Sequence, residues 1–225
     1  MNATEIVARL KELSRPDQLE GMARYGINTQ NALAVRIPEL RKIARENGRD
    51  HDVALDLWAT GIHEARILAA MICEPQKATN AQLEEWVADF NSWDLCDQVC
   101  SNFFDKTAFA WDKAREWSGR NEDFVKRAGF TLMACLAVHD KQATDAAFLD
   151  LLPIIERQSI DGRNYVKKAV NWALRGIGKR NRALHAAALA LSQTLLDADD
   201  KAARWIGRDA HRELSDEKTL SRLKG

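Results

Sequence analysis

The feature that most constrains the fold is the recurrence of apolar residues at helical spacing along almost the whole chain. In the first segment, Ile6, Val7, Leu10 and Leu13 fall on one helical face. No stretch has a sustained period-two run of β-branched and aromatic residues, which a strand would require. Glycine and proline interrupt the pattern at short intervals, so the connections are short. The sequence predicts an all-α protein.

The apolar pattern and its interruptions predict where each helix lies. Pro38 occupies a first-turn position, and residues 27–37 lack periodicity and are predicted to form a loop. Pro153 is expected to kink one helix or to divide it into two. The predicted helices are 4–13, 18–25, 39–47, 52–59, 63–72, 80–90, 93–104, 109–117, 122–138, 143–157, 163–179, 181–196 and 201–214.

The helices come in pairs, and several second helices begin alike. Arg127 and Lys168 occupy similar helix starts 41 positions apart, close to the roughly 40–47 residues of HEAT-type helical pairs. Stacked pairs of this kind form a solenoid in which the second helices line one surface. We therefore expect residues 1–225 to form one HEAT-like α-solenoid domain (an α-α superhelix) with a concave DNA-binding face.

Charge is balanced overall but segregated along the chain. The 225 residues include 33 basic and 33 acidic side chains, and 29% charged with 46% hydrophobic residues is typical of a globular protein. Residues 78–105 contain six acids and no Lys or Arg, whereas residues 157–182 contain eight basic residues and one acid, Asp161. A neutral protein with this distribution can still present a positive face to a polyanion.

Other features exclude several classes of protein. Cys73, Cys96, Cys100 and Cys135 lie in apolar helical patterns without zinc-ligand spacing, which favours reduced, buried thiols. The N-terminus is charged, and the longest uncharged run is too short to cross a bilayer. We expect a soluble, cytoplasmic protein, monomeric, with no bound metal and no membrane partner.

Three helix starts hold the candidate functional residues. Trp93 and Asp97 are one turn apart, so indole and carboxylate share a helix face. Lys168 and Trp172 have the same spacing, and Arg127 starts the helix between these two. The alternative is ordinary: each Trp packs in a core, and the charged residues are solvated. For an isolated Trp-x-x-x-Asp the ordinary interpretation is favoured, and only the partners elsewhere change it.

Four segments, in conserved order along the chain, resemble a known family. Residues 91–97, Asn-Ser-Trp-Asp-Leu-Cys-Asp, resemble the Trp-Asp-x-x-Asp motif of the AlkD family of bacterial DNA alkylation repair glycosylases. Residues 124–128 resemble its helix start with an essential arginine, and residues 35–41 its N-terminal Pro-Glu-x-Arg stretch. The most specific match is residues 164–175, which resemble its aromatic-basic-Ala-x-x-Trp-x-Leu-Arg segment.

The resemblance implies a fold, a reaction and a set of roles. It implies a HEAT-like solenoid that excises cationic N3- and N7-alkylpurines from duplex DNA without a base-flipping pocket. Asp97 takes the place of the catalytic carboxylate, Trp93 and Trp172 those of aromatic walls, and Arg127 that of a phosphate-contacting arginine. Ser92 stands where many members have a further Trp.

The chemistry of such a reaction agrees with these residue types. An alkylated, cationic base leaves without protonation, and one carboxylate can stabilise the oxocarbenium-like sugar and orient a water. Indoles attract the cationic nucleoside by about 0.5–2 kcal/mol each. No cofactor is required. The residues expected to hold DNA phosphates are Arg127, Lys167, Lys168, Arg175, Lys179, Arg180 and Arg182.

The sequence therefore predicts a monofunctional alkylpurine DNA glycosylase whose partner is duplex DNA with alkylated bases. Two alternatives stay open: a catalytically silent relative that binds branched or damaged DNA, and a helical-repeat scaffold for protein partners. A Schiff base on Lys168 is a further idea that we do not favour, because a cationic base needs no covalent help to leave.

Overall fold

The structure is a computed structural model, and it describes residues 1–223. Every regular element in that range is helical, which confirms the all-α prediction. Short 3₁₀ helices lie at Pro16–Gln18, Pro75–Lys77 and Phe104–Lys106. The α-helices are α1 Ala3–Glu12, α2 Leu19–Arg24, α3 Ile37–Asn47, α4 His51–Ala59, α5 His63–Ile72, α6 Asn80–Ala88, α7 Trp93–Asn102, α8 Ala110–Ser118, α9 Asp123–His139, α10 Asp145–Leu149, α11 Leu152–Gln158, α12 Asn164–Gly178, α13 Arg182–Leu196, α14 Lys201–Leu214 and α15 Glu217–Leu220.

The helix boundaries agree closely with the apolar pattern. Helices α5 and α14 have the predicted bounds. The segment 143–157 is two helices, as the second alternative for Pro153 predicted, because this proline starts α11 in its first turn. The four-residue helix α15 was not predicted, since it is too short to show periodicity.

The described chain divides into two compact units, Met1–Ala108 and a second that starts at Phe109. In the first unit, an aromatic cluster forms much of the core. Trp58 and Trp86 stack at 4.0 Å with their planes 3° apart, and Phe103 packs against Trp86 at 5.3 Å. The single-domain organisation stays a prediction.

In the second unit, glycines allow neighbouring helices to approach closely. A Cβ added to Gly129 in α9 would lie 2.4 Å from the amide nitrogen of Ser118, at the end of α8. A Cβ added to Gly207 in α14 would lie 2.4 Å from the amide nitrogen of Leu196, at the end of α13. Both glycines are the seventh residue of their helix, so two successive helix pairs pack in the same way.

Three candidate residues occupy the same helix position. Asp97, Arg127 and Lys168 are each the fifth residue of their helix, in α7, α9 and α12. The shared position of Arg127 and Lys168 agrees with the repeat alignment that relates them. A common concave face for these positions stays a prediction.

Candidate nucleic-acid site

Trp93 is held in place at the first position of α7. Its indole Nε1 donates a hydrogen bond of 2.9 Å to the main-chain carbonyl of Tyr25. The ring is half-buried, and the side chain of Tyr25 is 77% exposed. Because a main-chain carbonyl accepts from its nitrogen, the indole has a fixed orientation while part of the ring stays accessible.

Asp97 lies one turn further along the same helix and is half-buried. The helix extends without interruption from Trp93 to Asn102, so the predicted i, i+4 relation of Trp93 and Asp97 is present. The catalytic role of Asp97 stays a prediction.

Asp94, the other acid of the motif, is bound by two neighbouring side chains. One carboxylate oxygen lies 2.8 Å from Nε2 of His63, which is only 5% exposed, and the other accepts from the hydroxyl of Ser92. Ser92 stands at the N-cap of α7, and its residue type predicts a capping side chain. That prediction is wrong. The hydroxyl donates to Asp94, and its oxygen accepts from the amide of Asn28 at 3.4 Å and not from an amide of α7.

His63 and Asp94 each shift the pKa of the other. Burial alone would lower the pKa of His63, but the hydrogen bond and the charge of Asp94 outweigh it, and the pKa is raised. Burial would likewise raise the pKa of Asp94, but hydrogen bonds from His63 and Ser92 hold it below the ordinary value. The pair is therefore most stable as imidazolium and carboxylate.

A buried glutamate anchors the loop over this region. Glu64 is 2% exposed, and its carboxylate accepts from the amides of Leu33 and Ala34 at 2.8 and 2.7 Å. Ala34 has a φ of 57°, a left-handed conformation that costs energy for any residue with a Cβ. The amide of His63 donates to the carbonyl of Asn31 at 2.9 Å. These bonds hold the predicted loop in one conformation.

A cavity of about 510 Å³ lies between this loop, α2 and the starts of α5 and α7. Its apolar lining includes Met22, Tyr25, Ile27, Ile67 and Trp93.

The polar lining of the cavity consists of Gln18 and five charged or titratable residues: Arg15, Arg36, His63, Glu64 and Asp94. Sequence reasoning assigned no function to His63 and Glu64. One sequence signal could have indicated them: His-Glu begins α5 in the same way as Trp-Asp begins α7, 30 positions later.

Arg127, in the second unit, is more enclosed than a phosphate ligand was expected to be. It is 5% exposed, and its guanidinium donates to the main-chain carbonyl of Tyr165 at 2.7 Å. This bond links α9 to the start of α12. Its contact with DNA phosphate stays a prediction.

Two basic residues, one in the last turn of α12 and one directly after the helix, are engaged with α14. The side chain of Glu213 receives Arg175 and also Lys179, the latter at 2.6 Å. Asp209 lies 3.6 Å from Arg175. Burial alone would raise the pKa of Glu213, but Lys179 and Arg175 outweigh it and lower the pKa. The basic run is thus partly neutralised by acids that lie 34 to 38 positions later in the sequence.

Arg180 also has an internal role. It donates to the carbonyls of Ala137 and Ala143, both at 3.1 Å, and its guanidinium lies 4.5 Å from the ring centre of Phe148. The assignment of Arg175, Lys179 and Arg180 to DNA stays a prediction, but each has a structural partner already.

The remaining basic candidates are more accessible. Lys168 and Arg182 are exposed, and the side chain of neither has an ion pair or a hydrogen bond to any residue in 1–223. The ammonium of Lys167 lies 4.6 Å from the ring centre of Trp205, which is 38% exposed. Trp172 is half-buried in α12. The residues predicted to bind DNA thus fall into two groups: those whose side chains already bind other parts of the protein, and those whose side chains are exposed.

Three further features concern metal binding, membrane spanning and the cysteines. Within 1–223, no group of three or more His, Cys, Asp or Glu is placed to hold a metal ion. Over the same residues, no helix has the length and apolar character needed to span a bilayer. All four cysteines are buried thiols, as predicted.

The all-helical fold and the Trp93–Asp97 motif can be compared with those of known proteins, and the comparison gives the family. A solved structure described as "a new family of proteins related to the HEAT-like repeat DNA glycosylases with affinity for branched DNA structures" matches with a TM-score of 0.78. The match has 18% identity over 95% of each chain, so this chain has the HEAT-like repeat fold. The family model described as "DNA alkylation repair enzyme" matches residues 6–214. The chain belongs to this DNA alkylation repair family. No curated protein matches it by sequence.

Proposed function

We propose that this protein is a DNA glycosylase that hydrolyses the N-glycosidic bond of cationic N3- and N7-alkylated purines in duplex DNA. The observation that carries the proposal is the pair in α7, where Asp97 follows a fixed Trp93 by one helical turn. Membership of the DNA alkylation repair family supports the same substrate class.

The reaction needs little from the protein beyond electrostatics. The C1′–N bond breaks with both electrons moving to the base, which leaves as a neutral purine. Water then attacks C1′ and loses a proton. The Asp97 carboxylate stabilises the positive charge that develops on the sugar and orients that water. Trp93 attracts the cationic nucleoside through its ring. Trp172 is assigned the same role in the second unit.

DNA binding rests on the basic residues of the second unit. Lys168 and Arg182 are exposed and lack protein partners within 1–223, so they can bind phosphate without breaking an existing ion pair. Within the described residues, the side chain of Lys167 contacts the ring of Trp205 and has no ion pair. Arg127 contributes by holding the start of α12 in position, and the family resemblance assigns it a phosphate as well.

The solved structure of the related protein supports a second candidate, a binder of branched DNA without excision. The discriminating experiment is incubation of the protein with methylated duplex DNA, followed by detection of released 7-methylguanine. Release above a buffer control supports the glycosylase. Salt-dependent binding to a four-way junction without release supports the second candidate, and neither binding nor release leaves only the scaffold.

A further inference from the structure

The cavity of the first unit has the size and composition of a ligand site. Its volume of about 510 Å³ lies in the roughly 300–1,000 Å³ range of small-molecule pockets. Like those pockets, it combines apolar and aromatic walls with a few polar groups. Of the two α7 residues proposed for excision, Trp93 lines the cavity and Asp97 does not, so the other lining residues have no role in the proposed excision step.

The walls suit a flat aromatic ligand. Trp93 lines the cavity with its nitrogen bound to the main-chain carbonyl of Tyr25, which is a lining residue as well. Met22 and Ile37 add apolar surface. Stacking on aromatic side chains is how proteins bind unpaired bases without sequence preference, since every base has a π-face.

His63 supplies a polar group for the edge of such a ligand. Its Nε2 is bonded to Asp94, whereas its Nδ1 has no hydrogen bond within residues 1–223. When the imidazole is neutral with its proton on Nε2, Nδ1 accepts a hydrogen bond; when it is protonated, Nδ1 donates one. Either state can bind an edge of a nucleobase, because each base edge presents donors or acceptors.

Two arginines indicate that the ligand carries a phosphate. Arg15 and Arg36 both line the cavity, and their side chains have no ion pair or hydrogen bond in the described part of the chain. An unpaired guanidinium is a bidentate phosphate ligand. Arg36 is exposed, so the phosphate would lie at the cavity mouth.

We propose that this cavity binds an unpaired nucleotide of DNA, with the base against Trp93, an edge of the base at Nδ1 of His63, and the phosphate on Arg15 and Arg36. Binding requires no alkylated base and no bond cleavage, so it is a second DNA-binding activity beside excision. The base enters from an existing bulge or junction, and the protein need not extrude one from a duplex.

The test compares two duplexes that differ only in whether one 2-aminopurine is a single-nucleotide bulge or is paired with thymine. Fluorescence titration of the native protein should give about tenfold tighter binding to the bulged duplex, with quenching of the probe by stacking. Equal affinity for the two duplexes, or a bulge without quenching, would overturn the proposal. Neither duplex contains an alkylated base, so the outcome does not depend on excision.

A cavity-filling variant makes the test specific. Gly21 lines the cavity from α2, and a Cβ at this position meets no atom within 4 Å. Gly21→Phe should therefore fold and place its ring in the cavity, reducing the preference for the bulge about tenfold. Ala23→Phe, an exposed position of the same helix outside the lining, is the matched control and should keep the preference. A retained preference in Gly21→Phe contradicts the proposal.

Arg36→Ala gives a check that leaves the cavity open. It should lower the slope of log affinity against log salt concentration by about one for the bulged duplex and leave the paired duplex unchanged. An unchanged slope on both duplexes would remove Arg36 from the site.

Discussion

Asp94 and Asp97 lie three positions apart in α7, and we expect them to have different roles. Asp94 binds His63 and Ser92 and therefore contributes to stability. The pKa of His63 is raised, so its contribution is complete below about pH 6.5 and is lost as pH rises through the folded-state value. The pKa of Asp94 is lowered, so its contribution is present above about pH 3.9 and is lost as pH falls through the folded-state value.

The pair should thus stabilise the protein most between about pH 4 and 6.5. We expect His63→Gln to lower the melting temperature most in this window, and the difference from the native protein to shrink toward pH 9. His139→Gln, an exposed position of α9, is the control. Thermal melting across pH measures this, and a difference that does not change with pH would exclude the ion pair as its source.

Arg127 and Lys168 have the same helix position but different environments, so they form a matched pair of variants. Arg127→Ala removes a buried hydrogen bond to Tyr165 and should cost about 1–3 kcal/mol of unfolding free energy as well as weaken DNA binding. Lys168→Ala removes an exposed cation and should leave stability unchanged. It should lower the salt slope of duplex binding by about 0.9. Denaturant unfolding and salt titration together measure both effects. Equal losses of unfolding free energy in the two variants would contradict the idea that the buried Arg127 stabilises the fold more than the exposed Lys168 does.

At the scale of elements, the close contact of α8 and α9 depends on a missing side chain. Gly129→Ala places a Cβ 2.4 Å from the amide nitrogen of Ser118. Because this nitrogen belongs to the backbone, no change of side-chain rotamer can relieve the clash. We expect a loss of about 1–3 kcal/mol, the usual cost of overpacking. Gly21→Ala, where a Cβ meets nothing within 4 Å, should be neutral or slightly stabilising. Urea unfolding of both proteins tests this, and a stable Gly129→Ala would contradict the packing of α8 on α9.

The elements were largely predictable from sequence, whereas the contacts at their ends were not. Apolar spacing with Gly and Pro located the helices, because these signals are local. The contact between Asp94 and His63 was not predictable, since the two residues lie 31 positions apart. The acids that engage Arg175 and Lys179 were missed for the same reason: sequence shows charge along the chain but not which charges meet in space.

At the scale of the whole molecule, zero net charge and DNA binding are compatible only if some cations remain available. Lys168 and Arg182 meet that condition among the basic residues of 157–182, whereas Arg175, Lys179 and Arg180 are held by the fold. The salt dependence of duplex binding should therefore correspond to fewer phosphate contacts than the eight basic residues of the run suggest.

We propose that the carboxylate of Asp97 is required for excision. Single-turnover release of 7-methylguanine from methylated duplex DNA tests this role most directly. Asp97→Asn removes a charge that acts mainly as the sugar becomes cationic, so release should fall by at least about a hundredfold. Duplex affinity and melting temperature should stay near native values. Asp89→Asn makes the same charge change beside Arg66 in the first unit and should release base at a nearly native rate. Native-like release by Asp97→Asn, or an equal loss in Asp89→Asn, would contradict the assignment.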